Sequence, residues 1–251
     1  MIMTYALLAR YYDLENAEFD GDLDFWLGLA DEADGPVLEL GCGTGRVLLP
    51  LAHAGHAVTG VDNAPTMLER LQQRLRAAAL DPAPTVLEAD LGGFETSERF
   101  ALAIAPFNTF MHLLTLEEQV RVLSHVRAAL RPGATLALDV VNAGAAYASV
   151  EGGLHLERSF ADGVRTVQQF STLTIDRAAQ RAEILYLYDS VGSEGVVHRL
   201  TVPLMLRYVF PGEMRLLLER CGFELRHLYG DYDLSAFSDD SPRMLVVAKA
   251  V

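Results

Sequence analysis

Between residues 36 and 141 short, continuously apolar runs alternate with longer amphipathic ones, and few folds accept that pattern. The runs are PVLEL (36 to 40), AVTGVD (57 to 62), TVLEA (85 to 89), ALAIA (101 to 105) and ATLALDVV (134 to 141). A strand that is apolar at successive positions has no face to give to water, so it belongs inside a mostly parallel sheet with helices on both sides. The intervening segments carry helix punctuation. Pro65 opens one, Thr115 and Glu118 are spaced as a capping box for another, and Pro132-Gly133 stops that second helix after Leu130. The expected class is α/β, a doubly wound sheet.

The flanks read differently. Ahead of the first strand, ALLARYYDLE and DGDLDFWLGLADEA predict two helices outside the repeat, an N-terminal helical lid over residues 1–35. The cofactor-binding core then spans 36–153. From 154 to 210 the alternation gives way to long β-rich runs separated by Asp162-Gly163, Asp176-Arg177 and Gly192-Ser193-Glu194-Gly195, an antiparallel meander inserted in the same domain. A helix from about 212 to 221, stopped by Gly222, a strand to Leu228 and a final run RMLVVAKA predict a closing helix and β-hairpin over 211–251. With 251 residues, 51% of them hydrophobic, one domain can bury a sufficient core without staples. Two cysteines, Cys42 and Cys221, are too few for a disulfide framework, and no apolar leader or spanning segment is visible, which reads as a cytoplasmic protein.

Charge excludes several partners. A formal net charge of −14 repels nucleic-acid backbones and anionic lipid, so neither nucleic acid nor membrane is expected as a partner. Lys249 is the only lysine, which removes Schiff-base chemistry and lysine-dependent phosphate loops.

The first strand runs into ELGCGTGR, residues 39 to 46. Glycines at a strand-to-helix turn let backbone N–H groups approach a ligand closely. Here Gly41, Gly43 and Gly45 run as GxGxG, with Arg46 where the dinucleotide fingerprint places its third glycine. Glu39, at the strand's carboxyl end, disfavours a diphosphate and suits a ligand bearing ammonium or sulfonium charge. Nineteen residues after Gly43, Asp62 ends the next strand, where a carboxylate can accept both hydroxyl protons of a ribose. Asp90-Leu91 follows the third strand and could hold the exocyclic amine and the face of an adenine.

VLELGCGTG, VTGVDNAPTML, LEADLGGF, IAPFNTFMHL and LRPG occur in this order, and the chain resembles the class I S-adenosylmethionine-dependent methyltransferases, strongly over about residues 36 to 141. That resemblance implies a seven-stranded Rossmann-like sheet with S-adenosylmethionine as methyl donor and S-adenosylhomocysteine as product. It places Glu39, Gly41, Cys42, Gly43 and Gly45 at the methionine and ribose part of the cofactor, Asp62 with Asn63 and Met67 at the ribose, Asp90 and Leu91 at the adenine, and Pro106, Phe107 and Asn108 beside the methyl group. RYYDLE, the meander and the ending GDYDLSAFSDDSPRMLVVAK are similar to small-molecule members, the amino-sugar N,N-dimethyltransferases and glycine N-methyltransferase-like relatives. From these relatives Tyr12 is nominated beside the cofactor, with Tyr11 as fallback. The meander is expected to cover the acceptor or to pair two copies into a homodimer.

Methyl transfer from a sulfonium is an in-line displacement that needs alignment, exclusion of water and, for some acceptors, a base. No metal site is expected, because the histidines are scattered and no carboxylate cluster suits magnesium. His112 falls where an acceptor could approach and is the candidate base; the competing reading is a structural histidine. On the meander Tyr186 and Tyr188 share one strand face and Tyr208 and Phe210 another, either lining an acceptor pocket or forming that sheet's own core. Arg158, His198 and Arg207 could hold an acidic acceptor. Arg46 is expected on a helix surface, and the acidic tail loop around Asp231 and Asp233 in solvent. The expected function is methyl transfer to a nitrogen or oxygen of a small molecule. The alternatives are a nicotinamide-dependent oxidoreductase and a non-catalytic S-adenosylmethionine-binding protein.

Overall fold

The computed structural model describes residues 2–149 and 151–251, and of residues 2–4 the backbone alone. Seven strands form the main sheet in the order β10-β11-β5-β4-β1-β2-β3. Five are parallel: β1 (Val37–Leu40), β2 (Val58–Asp62), β3 (Thr85–Glu88), β4 (Phe100–Ala105) and β5 (Leu130–Val141). The closing hairpin, β10 (Phe223–Tyr229) and β11 (Arg243–Ala250), enters antiparallel, with β11 against β5.

Successive residues of each central strand feed two different cores, which is why the runs are apolar without alternation. Leu38, Ala103, Ala105, Leu136 and Leu138 join a cluster with Val122, Leu123 and Val126 of α5 (Leu116–Ala129) and with Leu217 and Leu218 of α7 (Pro211–Arg220). Val37, Leu102, Ile104 and Ala137 face the opposite cluster, with Leu48 and Leu51 of α3 (Leu48–His53) and Leu68 and Leu71 of α4 (Pro65–Ala78). The edge strand β3 departs from this rule, since Thr85 and Glu88 are exposed and it has a neighbour on one side only. Thr115 and Glu118 form the full capping box that starts α5. At its other end the chain turns directly into β5, through a register shift against β4 near Pro132-Gly133.

The two N-terminal helices divide between the layers. Helix α2 (Leu23–Glu32) is no lid: Phe25, Trp26 and Ala30 pack into the α3–α4 core, and the Trp26 indole donates to Asp22 Oδ2 at 2.9 Å. Helix α1 (Ile2–Glu15) instead lies across the carboxyl ends of the parallel strands, against α4. Asp13 ties it there, accepting from Thr44 Oγ1 at 2.7 Å and pairing with Arg70 at 3.3 Å.

The remaining strands, β6 (His155–Asp162), β7 (Arg165–Asp176), β8 (Arg181–Val191) and β9 (Val197–Arg207), form the expected antiparallel meander. Its inner face alternates inward: Val167, Tyr188 and Val202 pack on Leu8 and Tyr11 of α1, while Ile175 and Leu206 reach the main core. Strand order reverses between β1 and β4, and at such a switch point the carboxyl ends of the strands part to leave a crevice. Helix α1 and the meander roof that crevice.

Candidate active site

A cavity of about 340 Å³ opens at the switch point, floored by the ends of β1, β2 and β4 and roofed by α1 and the inner face of the meander. Its sheet end is built by the glycine turn. Gly41 N and Cys42 N both donate to Val61 O, at 2.8 and 3.2 Å, which folds the chain sharply back after β1. Gly41 is left-handed (φ 68°), and a Cβ there would sit 2.6 Å from Thr109 Cγ2, so only glycine fits. At Gly43 the nearest atom to such a Cβ would be Met67 Cε at 3.5 Å, so the missing side chain leaves an open approach to the backbone beside Asp62.

Asp62 is held before any ligand arrives. Its Oδ2 accepts from Gly43 N and its Oδ1 from Ala64 N, both at 2.8 Å, leaving each oxygen a lone pair for a second donor. Burial raises its pKa, opposed by these backbone bonds. Glu39 is 2% exposed, and its Oε2 has no hydrogen-bond partner among the described residues. Burial pushes this carboxyl well above its ordinary range, with the Arg46 guanidinium opposing and Asp62 adding to the rise. An orphaned carboxylate beside a backbone-lined turn awaits a donor, best a cationic one, and is hostile to a diphosphate. Asn63, Met67 and, nearer the rim, Asp90 and Leu91 also line the cavity. Asp90 Oδ1 accepts from Arg121 Nη1 and from Gly92 N, at 2.9 Å each. The residues present therefore fit an adenosyl amino acid: a carboxylate for its ammonium, a fixed carboxylate for its ribose and an acid with an apolar neighbour for its base.

Arg46 is not on a helix surface. It lines the cavity, makes a bidentate pair with buried Asp22 at 2.7 and 2.6 Å and lies against the rings of Phe19 and Phe107. Opposite it, Pro106, Phe107 and Asn108 follow β4 along the wall. Phe107 and Asn108 are both left-handed (φ 52° and 65°), a conformation that non-glycine residues hold only when their surroundings impose it. Asp139 on β5 imposes it: its Oδ2 accepts from Phe107 N at 2.8 Å and its backbone O from Asn108 N at 3.0 Å. Asp139 in turn accepts from Arg243 Nε at 2.6 Å and from Tyr232 Oη at 2.7 Å. Asn108 spends its side-chain oxygen on Val141 N at 2.9 Å. The tail loop thus supplies Tyr232 as a brace rather than standing wholly in solvent. Tyr232 and Arg243 lie in the tail stretch GDYDLSAFSDDSPRMLVVAK and Asp139 in the strand ATLALDVV, but nothing in the sequence assigned these three residues to the site.

The roofed end is built from α1 and the meander. Tyr5, Leu8, Tyr12 and Glu15 line it as one helix stripe, a spacing legible in YALLARYYDLE once the helix is known to cross the crevice. Tyr5 Oη and His112 Nε2 are 2.7 Å apart. Burial pushes the His112 pKa down to about 4 and raises the pKa of Tyr5, so the pair is neutral at pH 7. Tyr12 is pushed up to about 12, mainly by burial. Glu157 and Arg158 are sequence neighbours on β6, yet both line the cavity because a register shift against β7 falls between Leu156 and Arg158. Arg158 Nη1 donates to Glu15 O at 2.6 Å, and Tyr186 adds its ring to the lining.

Several expected site residues lie elsewhere. Tyr11 is buried in the roof, its ring stacked on that of Tyr188 at 5.1 Å; the helix period that turns Tyr12 into the cavity turns its neighbour away. Tyr188 shares a strand face with Tyr186 but sits under α1, outside the cavity lining. Arg207 is 8% exposed and committed to Glu213 at 2.5 Å and Gln119 at 2.8 Å. Tyr208 is wholly buried in the main core, and His198 is an exposed residue beside Glu194, 3.9 Å away. Gly45 does not touch the cavity; a Cβ there would meet Leu71 Cδ1 at 2.5 Å, so it is glycine for helix–turn packing. Among the described residues no group of His, Cys, Asp or Glu is placed to hold a metal, and no helix is long and apolar enough to cross a membrane.

Known proteins share this arrangement. A family profile described as a methyltransferase domain matches residues 37–133. The cypemycin N-terminal methyltransferase of a Streptomyces species is 28% identical over 229 residues, covering 88% of this chain and 86% of its own. The solved CcbJ methyltransferase of Streptomyces caelestis superposes with a TM-score of 0.82 at 26% identity, covering 99% of this chain and 98% of that one. CalS10 of Micromonospora echinaspora, an amino pentose methyltransferase solved with S-adenosylmethionine bound, shares the fold at a TM-score of 0.75 and 20% identity over 94% of each chain. With the unpartnered Glu39, the pinned Asp62 and the seven-stranded order around one turn, the chain is a class I, Rossmann-like S-adenosylmethionine-dependent methyltransferase.

Proposed function

We propose that the enzyme methylates an amine of a small-molecule acceptor held between α1 and the meander. The observation that carries this is the charge of the roofed end, where two carboxylates, Glu15 and Glu157, face a single guanidinium, Arg158. Such an end favours a basic acceptor over an acidic one. The name of the cypemycin N-terminal methyltransferase, similar over most of this chain, points to nitrogen as well.

When bound, S-adenosylmethionine supplies an activated methyl carbon on a sulfonium, with a neutral thioether as leaving group. The chain does the rest. Glu39 takes the ammonium of the amino-acid part, Asp62 the ribose hydroxyls with Asn63 and Met67 beside them, and Asp90 and Leu91 the adenine. The backbone of Gly41, Cys42 and Gly43 lets the donor lie against the turn. Tyr12 and the Pro106-Phe107-Asn108 segment, which line the same cavity, would hold the donor's reactive end and fix the acceptor's line of approach. The amine's lone pair would form the new N–C bond as the thioether leaves; the Tyr5–His112 pair, neutral at pH 7, would orient the amine by hydrogen bonding, and the product ammonium would give up its proton to solvent. Helix α1 acts as the lid that excludes water.

The test is formation of S-adenosylhomocysteine from S-adenosylmethionine over matched panels of small amines and alcohols, with Tyr5→Phe and His112→Phe alongside. Turnover on amines, reduced in both variants with cofactor binding intact, is the expected result. Tight cofactor binding without turnover on any acceptor would mean a non-catalytic binding protein, and turnover confined to alcohols would refute the amine assignment.

A further inference from the structure

Gln169, on the central strand β7 of the meander, lines the cavity at 3% exposure. Its Nε2 donates to Tyr188 Oη at 3.0 Å, and Tyr188 Oη donates onward to Glu15 Oε2 at 2.9 Å. This chain has one direction. A carboxylate can only accept, so the tyrosine proton must go to Glu15, the tyrosine oxygen must then accept, and the amide must present its NH₂ group to it. The amide cannot flip without setting a carbonyl against a phenol oxygen whose proton is already spent. Gln169 Oε1 is therefore locked as an acceptor, and among the described residues it has no partner. Buried acceptors are rarely left so, and an exception in a cavity wall marks a place for a ligand donor. The neighbouring groups have the same polarity. Ser171 Oγ, one inward position further along β7, donates to Glu157, so Glu157 is likewise held as an acceptor, and both carboxylates line the same cavity.

We propose that Gln169 Oε1, with Glu15 and Glu157, forms a specificity subsite that requires the acceptor to carry a second hydrogen-bond donor, a hydroxyl or ammonium group distinct from the nitrogen that is methylated. This deepens the assignment of the cavity as an amine site and rests on it. Tyr5, His112 and Tyr186 line the same cavity as Glu15, Glu157 and Gln169. A ring carrying an amine at one end and a hydroxyl at the other could meet both sets of groups, and a simple alkylamine could not.

The experiment is calorimetric titration of the S-adenosylhomocysteine-saturated enzyme with trans-4-aminocyclohexanol and with trans-4-methylcyclohexylamine, which differ only in the distal group. The wild-type chain should prefer the aminocyclohexanol by about tenfold or more, the scale of one well-made buried hydrogen bond. Gln169→Leu should bring the two to within about twofold, by weakening the aminocyclohexanol alone. Unchanged affinity of Gln169→Leu for trans-4-methylcyclohexylamine and for S-adenosylhomocysteine separates recognition from a merely structural loss. An equal preference in wild type and Gln169→Leu, an equal weakening of both amines in Gln169→Leu, or binding of neither amine to the saturated wild-type enzyme would overturn the subsite. Failure of S-adenosylhomocysteine itself to bind would instead show as a missing first titration and would remove the reading beneath it.

Discussion

The Glu39→Gln substitution should move stability and cofactor affinity in opposite directions. Without ligand, Glu39 is a fully desolvated carboxyl with one oxygen unpartnered, and burial raises its pKa. A group whose pKa is higher folded than unfolded contributes stability at low pH and loses it as pH rises, so at pH 7 Glu39 opposes folding. A glutamine amide carries no charge, so the variant removes the ionisation part of that cost. Leaving a buried polar group unsatisfied costs about 1–3 kcal/mol, and the neutral amide should recover a fraction of this, about 1 kcal/mol. For a chain of 251 residues that is a rise of roughly 2–4 °C in Tm. The same change replaces a charge-assisted hydrogen bond to the donor's ammonium by a neutral one. Charged bonds contribute about 1.5–3 kcal/mol and neutral ones about 0.5–1.5, so the difference of about 1–1.5 kcal/mol should weaken S-adenosylhomocysteine binding roughly 5- to 10-fold. Differential scanning calorimetry without ligand and isothermal titration with S-adenosylhomocysteine measure the two halves. A variant that melts higher but binds with unchanged affinity would detach Glu39 from the cofactor. One that melts lower would refute the claim that the orphaned carboxylate opposes folding.

Two more outcomes follow from the same geometry. Asp62→Ala should weaken S-adenosylhomocysteine binding by about 2–3 kcal/mol, through lost ribose contacts and a loosened Gly43, and equilibrium dialysis returning wild-type affinity would exclude the ribose role. Unfolded His112 takes its proton near ~6.5 and folded His112 near about 4, so between those values the unfolded chain binds more protons and stability climbs with pH. Urea unfolding from pH 4 to 7 should show a rise of roughly 3 kcal/mol from this residue that is absent in His112→Phe; identical pH profiles would place the histidine in a wetter site than the structure gives it.

The main sheet was legible because it is a statement about burial. Strands such as Phe100–Ala105, and Val37–Leu40 apart from Glu39, are apolar at successive positions since two helix layers must be fed from one strand. The sheet end of the cavity was legible because backbone conformation restricts residue type locally: the left-handed turn against Thr109 admits only glycine at 41, and Glu39 and Asp62 stand at strand ends. The roofed end was not legible in the same way. Tyr11 and Tyr12 are equivalent as text, and the rotation of α1 on the meander turns one inward and the other away. Tyr186 and Tyr188 share a face, and the edge of α1 falls between them. Arg207 and Tyr208 look like binding residues until the fold sets Glu213 and the main core beside them. Sequence by itself determined the layers, the turn and the acids at the strand tips, because each answers to neighbours a few residues away. Tertiary structure alone decided the acceptor half, from the Tyr5–His112 pair to the direction of the Gln169–Tyr188–Glu15 chain, because those groups lie 19 to 173 residues apart along the chain and meet only when the meander closes on α1.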